Sequence, residues 1–193
     1  TALYQLAKAA VEKEDYAEAK ELLLRAVGEY PHNLGEGKLE SGQENNLYYL
    51  LGLVQEKLGE AKDAFESLTR ACCGESEPVG MMYYNDQPPE MIYYQGLAYR
   101  MLGEEEQAVR RFQKLVDYGR EHIRDDVKID YFAVSLPDLL IFEENLNERN
   151  RKHCLFMMSL GLKGLGRIDE AEKCAEELLA MDNAHQEIRV HDL

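Results

Sequence analysis

Four segments of the chain repeat one spacing of small and apolar residues, and this repetition limits the fold more than any other feature of the sequence. A small residue opens each pattern, at Ala7, Gly52, Gly96 and Ser159. A second small residue follows twelve positions later, at Ala19, Ala64, Ala108 and Ala171. Further core positions come next, at Leu23 and Ala26, Leu68 and Ala71, Phe112 and Leu115, and Ala175 and Leu178. The pattern predicts two amphipathic helices per repeat, with the small residues where the helix axes approach most closely.

The segments between the two halves of each repeat favour a tight turn. Glycine adopts the left-handed conformation without a Cβ penalty, and it follows a leucine at Leu58-Gly59, Leu102-Gly103 and Leu165-Gly166. One hairpin of helices cannot bury its own apolar face, whereas stacked hairpins bury a continuous core. The sequence therefore predicts an all-α fold, an α-α superhelix (solenoid) of about four helical hairpins with inserted segments between the repeats.

This pattern resembles the tetratricopeptide repeat. The resemblance is carried by Tyr94, Gly96, Leu97, Ala98, Tyr99, Leu102, Gly103, Ala108 and Phe112 in the third unit, and by Asp15, Tyr16, Ala19 and Pro31 in the first. It implies one domain over 1–193 with repeats at about 1–33, 45–78, 89–122 and 152–185. Tyr118 and His122 keep the apolar spacing, so the second helix of the third unit is expected to reach about Ile123. The long insertion, 123–151, is expected to hold a short extra helix, because Pro137 suits a first helical turn.

Three stretches within and beside the inserted segments narrow the resemblance. Residues 33–39 with 44–46, residues 130–138, and residues 146–150 with 153–154 are similar to the C-terminal repeats of a family of large bacterial proteins. In those proteins, tetratricopeptide repeats accompany a poorly characterised N-terminal domain that resembles sugar-handling β-rich folds. The resemblance implies that the chain is a fragment of a larger bacterial protein, which agrees with a sequence that opens at Thr1 inside a helical pattern. It brings no established activity.

The first helix of each repeat is expected to present one face to a concave groove. Residues three before, one after and four after the small marker share a face of the helix, and in tetratricopeptide arrays that face usually lines the groove. The candidate groove residues are Tyr4, Tyr49, Leu53, Tyr93, Leu97, Arg100, Phe156, Leu160 and Lys163, and Lys8, Val11 and Glu56 complete the pattern. An aromatic row flanked by leucines can hold an apolar peptide or helix, or stack on sugar rings.

Two alternatives remain for this aromatic row. It lines an open groove, or it is buried by the chain's own insertions, in particular by residues 119–150; a groove that is partly filled and partly open combines the two. The carboxylate clamp known from this repeat family uses Lys and Asn on the first helices, and those positions here hold Tyr49, Tyr93, Leu53 and Leu97. That binding mode is therefore disfavoured.

Charge excludes several classes of partner. The chain has 22 Lys and Arg against 37 Asp and Glu, a formal net charge of -15 in 193 residues. Such a chain is poorly suited to phosphate backbones or anionic membrane surfaces, so we expect neither nucleic acid nor membrane as a partner. No stretch approaches the roughly 20 apolar residues of a spanning helix. The cysteines Cys72, Cys73, Cys154 and Cys174 form no disulfide framework, which favours a reducing, cytoplasmic location.

The sequence contains none of the strong local signatures of enzymes. A nucleophile elbow, a zinc-binding HExxH pair, a phosphate-binding glycine loop and a dinucleotide fingerprint are all missing from it. His153 and Cys154 invite a metal or nucleophile hypothesis with Cys174, but packing explains them better. His185 and His191 are given no role. We therefore predict no catalytic residue, no metal site and no cofactor.

Three functional hypotheses follow. The first is a non-catalytic interaction or scaffold module that binds a protein, a peptide or another domain of the parent chain. The second is a carbohydrate-associated module, in which the aromatic row contacts a glycan or docks the sugar-handling domain. The third is purely structural: the array shapes a larger enzyme or makes it a homodimer.

Overall fold

The computed structural model describes residues 2–28, 44–80, 87–127 and 145–190, and within them the chain forms nine α-helices and no strand. The helices are α1 (Ala2–Glu12), α2 (Tyr16–Gly28), α3 (Asn45–Lys57), α4 (Ala61–Ala71), α5 (Pro89–Met101), α6 (Glu105–His122), α7 (Leu146–Gly164), α8 (Ile168–Met181) and α9 (Gln186–Val190).

The first eight helices pair into four hairpins that stack in chain order. Within each hairpin, α1 packs on α2, α3 on α4, α5 on α6 and α7 on α8. Between hairpins, α2 contacts α3, α4 contacts α5 and α6 contacts α7, while α5 also contacts α3 and α7. The first helices of the second and third hairpins, α3 and α5, thus each contact the hairpins on both sides, and the array is the all-α, α-α superhelix that the spacing predicts.

The second, third and fourth hairpins turn through the same backbone motif, which has a glycine in the left-handed conformation. Gly59, Gly103 and Gly166 have φ of +79°, +80° and +75°. In the second hairpin, Gly59 N–H donates to the Glu56 carbonyl at 3.0 Å and Glu60 N–H to the Gln55 carbonyl at 2.9 Å. These two hydrogen bonds define a Schellman motif, which satisfies the last carbonyls of the first helix. The predicted glycine stops are confirmed.

The predicted close approach of the helices is confirmed at two of the small markers. A methyl group added at Gly52 would lie 2.6 Å from Leu68 Cγ, and one added at Gly96 would collide with the ring of Phe112. Phe112 is fully buried and also faces α7, where Gly161 and Gly164 leave room for it. Glycines on α5 and α7 therefore allow α6 to bury one large ring between them.

The inserted segments give a mixed outcome. Helix α6 ends at His122, capped by Ile123, as predicted. Helix α7 begins at Leu146, before the predicted start of the fourth repeat at 152, because the Asn145 side chain accepts hydrogen bonds from the backbone N–H groups of the first turn. The extra helix predicted near Pro137 lies outside the described residues, and most of the 123–151 insertion lies outside them with it.

Candidate functional site

The candidate groove residues all lie on the first helices of the hairpins, α1, α3, α5 and α7, but their exposure differs along the array. In the two middle hairpins, Tyr49, Leu53 and Leu97 are half-buried and Arg100 is exposed. We call these four residues the central section of the groove. Lys163, on α7, is half-buried. The central section thus offers apolar side chains with a cation at one side.

The remaining candidates of the groove are buried. Tyr4 and Tyr93 are each 6% exposed, Phe156 is 4% exposed and Leu160 has no exposed surface. Tyr93 and Phe156 belong to the main apolar core of the third and fourth hairpins, and Tyr4 belongs to the core of the first two. The aromatic row is therefore partly buried and partly exposed, which is the combination of the two alternatives that the sequence leaves open.

A cluster of tyrosines joins the first hairpin to the third. The hydroxyl groups of Tyr4 and Tyr94 are 3.0 Å apart, and the Tyr94 ring lies 5.6 Å from the rings of both Tyr49 and Tyr93. Burial raises the pKa of Tyr94 above its usual range, and Tyr4 raises it further, so the phenol stays neutral. The first and third hairpins thus meet across the inner face of the array.

Arg100 is held by its own surroundings. Its guanidinium group donates to both oxygens of Glu105 and to the Gly164 carbonyl at 2.9 Å. The group also lies 4.9 Å from the centre of the Phe112 ring. Arg100 therefore bridges α5, the start of α6 and the C-terminus of α7, where helix carbonyls favour a cation, and it is not a preformed anion site.

The end of the described chain lies against groove residues of the first and the fourth hairpins, Lys8 and Phe156. We call these two ends of the groove its outer parts. Ile188 on α9 is 1% exposed in the core of the third and fourth hairpins, and Val190 packs against the core of the first two. The Lys8 ammonium group donates to the Val190 carbonyl at 2.6 Å, and the ring of His185 lies 5.5 Å from the ring of Phe156. Residues 185–190 thus contact groove positions of both the first and the fourth hairpins.

The repeat pattern does not predict this segment or a role for His185, Ile188 and Val190, because a helix of five residues is too short to show a periodic pattern. The only available signal was an apolar pair, Ile188 and Val190, in a polar tail after the last repeat.

A cavity of about 380 Å³ lies beside the docked segment. Its lining comes from the start of α5, from α7 and from the segment between α8 and α9: Pro88, Pro89, Glu90, Arg149, Lys152, His153, Phe156, Asp182, His185 and Glu187. Burial raises the pKa of the Glu90 carboxyl to about 7, and the nearby Glu187 carboxylate also raises it. The cavity is lined by charges of both signs, and the Lys152 ammonium lies 3.8 Å from an Asp182 oxygen.

The side chains considered for catalysis or metal binding have structural contacts. The ring of His153 lies with Nε2 2.8 Å from the Val79 carbonyl, and burial raises the pKa of the Cys154 thiol to about 12. A thiol with a pKa raised in this way stays protonated at neutral pH, and the protonated form is a poor nucleophile. Among the residues that the structure describes, no group of three or more His, Cys, Asp or Glu side chains is arranged to hold a metal ion. None of the described helices is both long and apolar enough to cross a membrane.

Two family models and a solved structure match the chain. The chain is similar to MamA in its crystal structure, with a TM-score of 0.34 and 19% sequence identity over 96% of this chain and 79% of that chain. Two family models of the tetratricopeptide repeat match residues 4–78 and residues 90–118, which together make up more than half of the chain and span the first three hairpins. Repeats of this family generally mediate protein–protein interaction and are typically non-catalytic scaffolds. The chain is a tetratricopeptide-repeat protein.

Proposed function

We propose that the chain is a non-catalytic interaction module that holds a protein or peptide segment, or another domain of a longer parent protein, along its groove. The family of repeats supports this function in general terms. One observation of this chain supports it in particular: residues 185–190 already lie against the groove positions Lys8 and Phe156. A surface that holds one short segment of chain has the shape and chemistry to hold another.

The central section is the part of the groove that a partner reaches directly. Tyr49, Leu53 and Leu97 keep exposed surface there, and Arg100 borders them. Apolar and aromatic side chains of this kind supply most of the binding energy of protein interfaces, while charges at the rim set orientation. The partner is therefore expected to bring an apolar anchor to the space between α3 and α5.

Site-specific photo-crosslinking tests the proposal in cells. A photoreactive amino acid replaces Leu53 in the central section, and the matched control replaces Phe65, which is 62% exposed on α4. We expect a protein adduct from position 53 that position 65 does not give, and we expect Tyr49→Ala to reduce that adduct.

Other outcomes would contradict the proposal. The same products from both positions would indicate random collision, and no adduct from position 53 would remove the central section as a protein-binding surface. The carbohydrate hypothesis has its own measurement: glycan-array binding by the purified chain that Tyr49→Ala abolishes would favour it over a protein partner.

A further inference from the structure

The conformation of α9 depends on the surface that it covers. The helix has five residues, Gln186–Val190, and helices shorter than about 12 residues are marginal in water on their own. Docking on the groove must therefore provide the interactions that keep this segment helical. The outer parts of the groove thus act as a binding site, and α9 is the segment that occupies it.

Two apolar side chains and one main-chain acceptor make the contact. Ile188 is buried against the third and fourth hairpins, and Val190, two residues later, packs against the first two. The Lys8 ammonium donates to the Val190 carbonyl at 2.6 Å, a charge-assisted hydrogen bond to the end of the helix. The site thus binds two apolar side chains and a carbonyl at the C-terminus of a helix. A short helix of another protein with two such side chains and a free C-terminal carbonyl can make the same contacts.

The fit of α9 is incomplete. The cavity of about 380 Å³ remains beside the segment. The His185 Nδ1 atom is buried and lies 3.4 Å from a Glu187 oxygen without a hydrogen-bond partner. A buried polar atom without a hydrogen bond and an unfilled cavity both weaken docking. A segment that fills the cavity would bind this site better than α9 does.

Resting on the proposed function, we propose that the outer parts of the groove bind a short helical segment of a partner protein, with apolar side chains at positions i and i+2, and that α9 occupies this site as an internal competitor. A partner segment must then displace α9 before it binds. The apparent affinity for the partner is then the affinity of the open site multiplied by the fraction of molecules in which the site is open.

The test measures binding of a fluorescein-labelled peptide of residues 182–193 to the full chain by fluorescence anisotropy. Three proteins are compared: the unchanged chain, the Ile188→Asp variant, which disfavours docking of α9, and the Gln186→Ala variant, which alters an exposed residue of the same helix. We expect Ile188→Asp to bind the peptide at least about 10-fold more tightly than the other two, because its site is no longer occupied. A peptide that itself carries Ile188→Asp should not bind.

Equal affinities for all three proteins, or no binding to the Ile188→Asp variant, would overturn the competition. Circular dichroism melts of Ile188→Asp and of a second variant, Val190→Asp, accompany the titration. If both variants lose the helices of the whole array, α9 is an inseparable part of the core and the proposal is wrong. Photo-crosslinking of a cellular protein at position 53 tests the proposed function without the peptide, so adducts there with no peptide competition would reject this inference and leave the proposed function standing.

Discussion

A single residue at the turn of the first hairpin departs from the pattern of the other three. Glu14 has φ of +60°, in the region that Gly59, Gly103 and Gly166 occupy in the equivalent turns. Its backbone makes the same two hydrogen bonds, from Glu14 N–H to the Val11 carbonyl and from Asp15 N–H to the Ala10 carbonyl, both at 2.9 Å. The motif therefore forms without glycine, but a side chain in the left-handed region costs about 1 to 2 kcal/mol.

The substitution Glu14→Gly is expected to stabilise the fold by about 1 kcal/mol, since it removes the left-handed penalty and leaves the hydrogen bonds in place. The free energy of unfolding in urea measures the effect. Gly103→Ala is the matched control: an added methyl group has nothing within 4 Å there, so its expected destabilisation of about 1 kcal/mol comes from φ alone. Unchanged stability in both variants would show that these turns tolerate any residue.

At the level of the helices, packing at Phe112 decides how closely three of them approach. Its ring lies under Gly96 of α5, and the glycines of α7 face the ring and the backbone carbonyl of the same residue. Phe112 is fully buried, so its ring has little room to move away from an added atom. A methyl group added at Gly96 is therefore expected to destabilise the fold by straining the packing around this ring.

We expect Gly96→Ala to lower the free energy of unfolding by about 1 to 3 kcal/mol, although alanine favours a helix more than glycine does. Gly28→Ala on α2 is the control, because a methyl group there meets nothing within 4 Å and should be neutral or stabilising by up to about 1 kcal/mol. Thermal melts followed by circular dichroism compare the two. If Gly96→Ala is as stable as Gly28→Ala, the hairpins are not packed as closely as described.

The sequence predicts these helices well and their ends less well. The markers Gly52 and Gly96 are at close approaches, and the second helix of the third hairpin ends where Tyr118 and His122 indicate. Helix α7 begins at Leu146, ahead of the predicted repeat boundary at 152, because the Asn145 side chain caps its first turn and the repeat pattern does not include that cap. The five residues of α9 escape prediction because tertiary contacts, not local periodicity, keep them helical.

In the molecule as a whole, contacts distant in sequence close the inner face of the array. Tyr4 meets Tyr94, 90 residues away, and Lys8 meets the Val190 carbonyl, 182 residues away. The repeat predicts that Tyr4 and Lys8 lie on the first helix of their hairpin, and they do. Which residues of the candidate groove are covered could not be predicted, because a nearest-neighbour repeat pattern carries no information about contacts between the first and the last unit.

The cavity next to α9 contains a carboxyl group, that of Glu90, whose ionisation makes the stability of the fold depend on pH. Glu90 on α5 faces charged groups of α7, of the segment after α8 and of α9, which are Arg149, Lys152, His153, Asp182, His185 and Glu187. Burial above all, with the Glu187 carboxylate adding to its effect, raises its pKa from 4.5 to about 7 in the folded chain. The folded state therefore binds this proton more tightly than the unfolded state does.

The contribution of Glu90 to stability is consequently largest in acid. It is fully present below pH 4.5, where both states are protonated, and it is lost as the pH rises through about 7, where the buried carboxyl must ionise beside Glu187. We expect Glu90→Gln to be about as stable as the unchanged chain near pH 4.5 and more stable by about 1 to 3 kcal/mol at pH 8. Urea unfolding from pH 5 to pH 8 measures the difference in unfolding free energy between the two proteins. A constant difference across this range would mean that Glu90 ionises equally easily in the folded and unfolded chains, and a loss of stability in Glu90→Gln at pH 8 would mean that its charge is favourable in the cavity.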